Sequence, residues 1–105
     1  MMSQFTLYEN TNEESREAYP YFVDIQNALL DSLNTRLVIP ITRSTYLVEQ
    51  ITHLCPTTTV DQEKLVLLTH QMTNVPVTAL QRPKGSLEHL RVEITSALDF
   101  LITGI

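Results

Sequence analysis

The sequence has one cysteine, two glycines, no tryptophan and only seven basic residues among 105, and each scarcity excludes a class of protein. A single cysteine, Cys55, permits no intrachain disulfide, which fits a reducing cytoplasm better than a small secreted scaffold. With Gly85 and Gly104 alone, no glycine-rich loop can cradle a phosphate. The scattered Lys and Arg residues and a formal net charge of -5 give no basic patch for direct attraction to polyphosphate. Any influence on DNA is therefore expected to run through another protein. The opening MMSQFTLYEN carries neither a basic region nor an apolar core of the signal-peptide kind, and no apolar run approaches membrane-spanning length. The chain is expected to be cytoplasmic.

The three histidines, His53, His70 and His89, stand too far apart for ligand-pair spacing, and one cysteine adds little, so no metal or other cofactor is expected. Cys55 lies between Leu54 and Pro56, after an apolar, helix-like run from Tyr46 to Leu54, and reads as a small buried hydrophobe rather than a nucleophile. The carboxylates at Glu13-Glu14 and at Asp61 with Glu63 fall in loops without an apolar pocket to tune them, and read as solvated charge. Asp24 and Arg36 differ, because each sits inside an apolar run. They are expected to pair within the fold, in a structural role.

What the chain does have is a series of short runs rich in β-branched and aromatic residues, separated by turn chemistry. Strands are expected over Phe5 to Tyr8, Tyr21 to Ile25, Arg36 to Thr42, Thr57 to Val60, Leu65 to Met72 and Val75 to Leu80. The nearly continuous apolar stretch Leu37-Val38-Ile39-Pro40-Ile41 predicts a strand buried on both faces or curling between two sheets. Pro40 and Pro76 cannot donate to a ladder and should mark edges, bulges or bends. Glu9 to Ala18 is polar and mostly acidic, a solvated loop. Asp61-Gln62-Glu63-Lys64 reads as a hairpin connection of undetermined turn type.

The period changes after Pro83, Lys84 and Gly85. Ser86 is a good N-cap and Glu88 suits a first helical turn. Leu87, Leu90, Ile94, Leu98 and Leu101 recur at steps of three or four, predicting a helix over about residues 86–103 whose stripe packs on the sheet. Val92, Ser96, Asp99 and Thr103 fall opposite that stripe, with Phe100 near them. Phe100 and Ile105 are thus candidates for exposed apolar surface, and a partner at this end of the helix is weighed equally with simple tucking into the core. One domain over residues 1–105 is the expected organisation.

Gln4-Phe5, Tyr21-Phe22-Val23-Asp24-Ile25-Gln26, Thr35-Arg36-Leu37-Val38-Ile39-Pro40-Ile41, Asn74-Val75-Pro76-Val77 and Gly104-Ile105 follow, in order, the pattern of the CcdB-type toxins of bacterial toxin–antitoxin pairs. The resemblance covers essentially the whole chain. It implies a mainly β fold, an SH3-like curved antiparallel barrel with a small satellite sheet and one C-terminal helix, assembled as a two-fold homodimer. It further implies a toxin that is not an enzyme, binds the DNA gyrase A subunit, traps gyrase on cleaved DNA, and is neutralised by a CcdA-like antitoxin. DNA would be met only through gyrase or the antitoxin. By position, gyrase contacts fall on Asp99, Thr103, Gly104 and Ile105, with Leu29 and Leu30 flanking and Phe100 as an apolar anchor. Antitoxin contacts fall on Tyr8, Glu9 and Asn10.

The sequence departs from the family pattern in two places. Thr103 stands where the family has a tryptophan before Gly-Ile, so Phe100 or Ile102 would have to supply an apolar anchor. The loop from Glu9 to Ala18 is long and acidic, on the side that meets the antitoxin's tail. Two other readings compete with the gyrase poison. One is an endoribonuclease of the MazF/Kid type, which shares the architecture; this chain lacks that family's Glu-x-Gly-x-Arg-Pro start, and its acidity suits RNA poorly. The other is a non-toxic relative that retains only the antitoxin contact.

Overall fold

The computed structural model describes residues 4–44 and 53–104; most of the helix-like run expected from Tyr46 lies outside them, as does Ile105. Seven strands form one curled antiparallel half-barrel: β1 (Thr6–Glu9), β2 (Tyr21–Asp24), β3 (Thr35–Arg43), β4 (Thr57–Val60), β5 (Glu63–Leu67), β6 (Thr73–Pro76) and β7 (Pro83–Ser86). The spatial order is β4-β5-β3-β2-β1-β7, and β6 branches from β3. Helix α1 (Arg91–Thr103) follows β7.

β3 organises the sheet. Its first half, Thr35 to Val38, pairs with β6, and its last residues, Ile41 to Arg43, pair with β5. Pro40 stands where one partner gives way to the other. Its carbonyl accepts from the Leu68 amide at 2.9 Å, and its missing N–H falls in the gap between β6 and β5, where no ladder bond is lost. The smaller sheet is therefore the β4–β5 hairpin, continuous with the larger one through the far end of β3. Pro76 ends β6, an edge strand, as its imide requires.

Alternation along the strands sorts side chains onto two faces. Leu7, Val23, Ile39, Ile41, Leu65 and Leu67 form the main core, which Leu87 and Ile94 close from the helix side. Tyr8, Val38 and Leu80 form a second cluster with Phe22 and Val75. β3 is thus buried on both faces, as its unbroken apolar run predicts. Each fully buried Leu or Ile contributes about 1.5–3 kcal/mol of apolar transfer free energy.

The β4–β5 hairpin turns on Asp61 and Gln62, both with positive φ (51° and 67°). That is the signature of the type I′ turn, built here without the Asn-Gly or Asp-Gly pair that makes it cheap. Asp61 is held by Lys84 at 2.8 Å and Glu63 by Arg43 at 2.7 Å.

Three element boundaries differ from those expected. The strand expected over Leu65–Met72 stops at Leu67, and a 3-10 turn occupies Thr69–Gln71. An unbroken apolar run carries no period to mark its end. β6 comprises Thr73–Pro76, where Val75–Leu80 was expected, and Val77–Ala79 is a further 3-10 turn. Finally, Pro83–Ser86 is strand β7, paired with β1, and the helix begins at Arg91 rather than Ser86. Ser86 Oγ does accept an amide, that of Glu88 at 3.1 Å, but Glu88 opens a 3-10 turn, Glu88–Leu90, that precedes the helix.

Candidate functional site

Helix α1 buries Ile94 and Ala97 against the sheet. Beyond them, Phe100 and Leu101 pack on a cluster formed by Leu54, Cys55, Val66 and Leu68, with the His53 ring 6.1 Å from that of Phe100. Phe100 is therefore half-buried, and the expectation that it forms exposed apolar surface is corrected: its side chain leans toward the core side of the helix. Cys55 is buried, as expected of a small hydrophobe, with its sulfur 3.9 Å from His70 Nδ1.

The opposite face carries Val92 and Ile102, each 72% exposed, together with exposed Ser96, Asp99 and Thr103. Steps of three and four place these residues on one solvent-facing stripe. The helix stops at Gly104, whose φ of 76° is the left-handed cap conformation that glycine adopts without strain, and its amide donates to the Phe100 carbonyl at 2.9 Å. Thr103 Oγ1 donates to the Asp99 carbonyl at 2.7 Å. The Thr103 methyl and the Ile102 side chain are then the exposed apolar groups of the terminal turn.

A second apolar feature stands on the connection between β2 and β3. There Leu29 is 88% exposed, Leu30 48% and Leu33 47%. Leu29 and Leu30 are the residues expected as flanking contacts, and both are exposed; Leu33 was not anticipated, because a single apolar residue in a polar loop has no period to betray it. Three hydrogen bonds shape the turn. The Asn27 side-chain oxygen accepts from the Leu29 amide at 2.8 Å, the Asn27 carbonyl from Leu30 at 3.0 Å and the Leu30 carbonyl from Leu33 at 3.1 Å.

Beneath this turn lies a buried polar hub. Arg36 donates from Nε and Nη2 to Asp24 Oδ2 at 2.9 and 2.8 Å, with both residues almost fully buried. The expected Asp24–Arg36 pair is present, and it has a third member: Arg36 Nη1 reaches Asp31 Oδ1 at 2.6 Å. Burial pushes the Asp24 carboxyl above its ordinary value, although the Gln26 amide and the Arg36 guanidinium both work in the opposite direction. For Arg36, burial acts to lower the guanidinium pKa, and the bonds to Asp31 and Asp24 outweigh it.

The third region is the loop after β1. It is better ordered by its own bonds than a plain solvated loop. Asn10 is buried and donates to Ser15 Oγ at 2.9 Å and to the Tyr19 carbonyl at 2.8 Å, while accepting from the Asn12 amide at 2.9 Å. Tyr8 is 5% exposed, and burial followed by the nearby Asp24 charge raises its phenol above the ordinary value. Of Tyr8, Glu9 and Asn10, only Glu9 offers its side chain to the surface, at the edge of an open cleft of about 490 Å³ walled by Glu13, Glu17, Arg16, Arg43 and Arg82.

The chain is thus a curled half-barrel closed by a terminal helix whose end carries exposed apolar groups, and no group of three or more His, Cys, Asp or Glu side chains that could hold a metal ion occurs among the described residues. Residues 4–104 match the family model of the CcdB protein. The chain belongs to the CcdB family, and it is the toxin of a toxin–antitoxin pair.

Proposed function

We propose that this toxin binds the DNA gyrase A subunit as a homodimer, holds gyrase in its DNA-cleaved state, and is released by a CcdA-like antitoxin. No reaction is catalysed by the toxin itself. The observation that supports this reading best is the exposed face of α1 running to Ile102, Thr103 and Gly104, because the Ile102 and Thr103 side chains lie outside the core. Asp99 adds a charge to that face, and Ile105 is taken as a contact from the family's pattern alone. The leucine turn, Leu29 and Leu30, supplies the flanking apolar contact.

Thr103 replaces the family's tryptophan, and Ile102, at the preceding position, offers exposed apolar area in its place. Phe100 contributes indirectly, by fixing the terminal turn against Leu68 and its neighbours. Binding that favours one gyrase conformation shifts the population away from religation, with no proton transfer required. The antitoxin is expected on the opposite side, at Glu9 and the cleft, with buried Tyr8 and Asn10 holding that surface in shape. Three carboxylates and three guanidiniums there suit a disordered tail of mixed charge that folds on binding.

Sedimentation of the purified toxin at micromolar concentration should show a dimer, and adding the gyrase A subunit should produce a heavier complex. A strict monomer would remove the two-fold arrangement, and absence of a complex would remove gyrase as the target.

A further inference from the structure

The leucine turn presents a physical problem. Three leucines that face water on a loop would ordinarily be free to collapse onto one another or onto the neighbouring surface, and a partner would then have to order them at a cost of about one side chain's rotamer freedom each. Here the backbone beneath them is tied from inside the protein. Gln26, itself buried, donates from Nε2 to the Leu30 carbonyl at 3.0 Å and to the Thr35 carbonyl at 3.3 Å, while its Oε1 accepts from the Leu37 amide at 3.1 Å. Asp24 Oδ1 accepts from the Gln26 amide at 2.9 Å. Arg36 then reaches past Asp24 and the Gln26 carbonyl, at 3.4 Å, to Asp31, directly after Leu30.

We infer that the Arg36–Asp31 bridge is a clamp, held from the buried Asp24–Arg36 pair, that fixes the turn carrying Leu29, Leu30 and Leu33 in the shape its protein partner binds. Asp31 and Gln26 are accordingly positioning residues for binding. A buried ion pair is weak evidence for stability, because desolvation offsets most of its Coulomb gain. What the pair does supply is a fixed guanidinium aimed outward at Asp31, whose side chain is 31% exposed. The inference rests on the reading that the leucine turn contacts gyrase.

The test uses the full chain with Asp31→Asn and, separately, Leu29→Ser. Asp31→Asn leaves Arg36 paired with Asp24, so the fold persists and melting changes by only a few degrees. Backbone order parameters from nitrogen-15 relaxation at residues 29–33 should fall from about 0.85 to below about 0.6, and affinity for the gyrase A subunit should drop roughly tenfold, as expected for freeing one or two contact side chains. A purely structural role would not loosen this turn alone while leaving melting unchanged. Unchanged order parameters overturn the clamp, whatever the partner. A loosened turn with undiminished affinity, when Leu29→Ser weakens binding, also overturns it. Leu29→Ser alters a side chain outside the clamp. If it binds as the wild type does, the reading of the leucine turn as a gyrase contact fails, and the clamp's role in binding fails with it.

Discussion

Replacing Arg36 with methionine is expected to cost about 3–5 kcal/mol, the effect of leaving a buried charge without its partner. For a chain of this size, whose whole stability is of order 5–15 kcal/mol, that is enough to populate the unfolded state at physiological temperature. Asp24 would lose both guanidinium bonds and keep only the Gln26 amide. The loss should also depend on pH in a definite sense. The Asp24 carboxyl in the folded protein already holds its proton more tightly than the ordinary value of 3.8, so the favourable effect of its protonation is fully present below that value and is lost as pH rises through the higher folded one. Removing Arg36 takes away a group that opposes this rise. The variant should therefore be most destabilised near neutrality and recover part of the deficit in mild acid, as thermal melts across the pH range would show. A deficit that is absent at neutral pH, or that grows on acidification, would contradict the placement of this pair in the core.

Deleting Thr103, Gly104 and Ile105 is expected to act in the opposite way, with little effect on folding and a large one on function. The described bonds made by Thr103 and Gly104 are local to the helix end, to Asp99 and Phe100, and losing a terminal cap costs about 1 kcal/mol or less. If these residues belong to the partner surface, affinity for gyrase should fall by at least about thirtyfold, the effect of losing one interface hot spot of about 2 kcal/mol. Growth inhibition should disappear with it. Circular dichroism and a growth assay on the same variant separate the two effects: an unfolded protein would show that the end is part of the core, and a folded, fully toxic one would remove it from the site.

The parts of the fold legible in the sequence are those written in side chains. β2 and β3 carry apolar residues on both faces, and Asp24 and Arg36 were conspicuous as charges inside apolar runs. β7 was not legible, because Pro83, Lys84, Gly85 and Ser86 are all exposed and the strand exists through main-chain pairing with β1. The same fact displaced the helix start, since Ser86 looks like a cap whether it heads a helix or ends a strand.

In the site, the exposed stripe of α1 could be read from its period, whereas the half-burial of Phe100 depends on Leu54, Cys55 and Leu68, which are distant in sequence. Asp31 could not be singled out at all. A carboxylate in a loop looks like any other until the fold brings Arg36 beneath it. The hairpin connection at Asp61-Gln62-Glu63-Lys64 was legible, but its turn type was not, for Asp61-Gln62 lacks the glycine that usually announces positive φ.

Gyrase poisoning itself is tested most directly by a cleavage assay with purified gyrase, ATP, supercoiled plasmid and the wild-type toxin, stopped with detergent so that trapped breaks are revealed. Toxin-dependent linear DNA is the predicted result, and it would show that gyrase is poisoned without the family's tryptophan. No linear DNA, together with no binding to the gyrase A subunit, would contradict the account and leave the antitoxin as the partner this surface has kept.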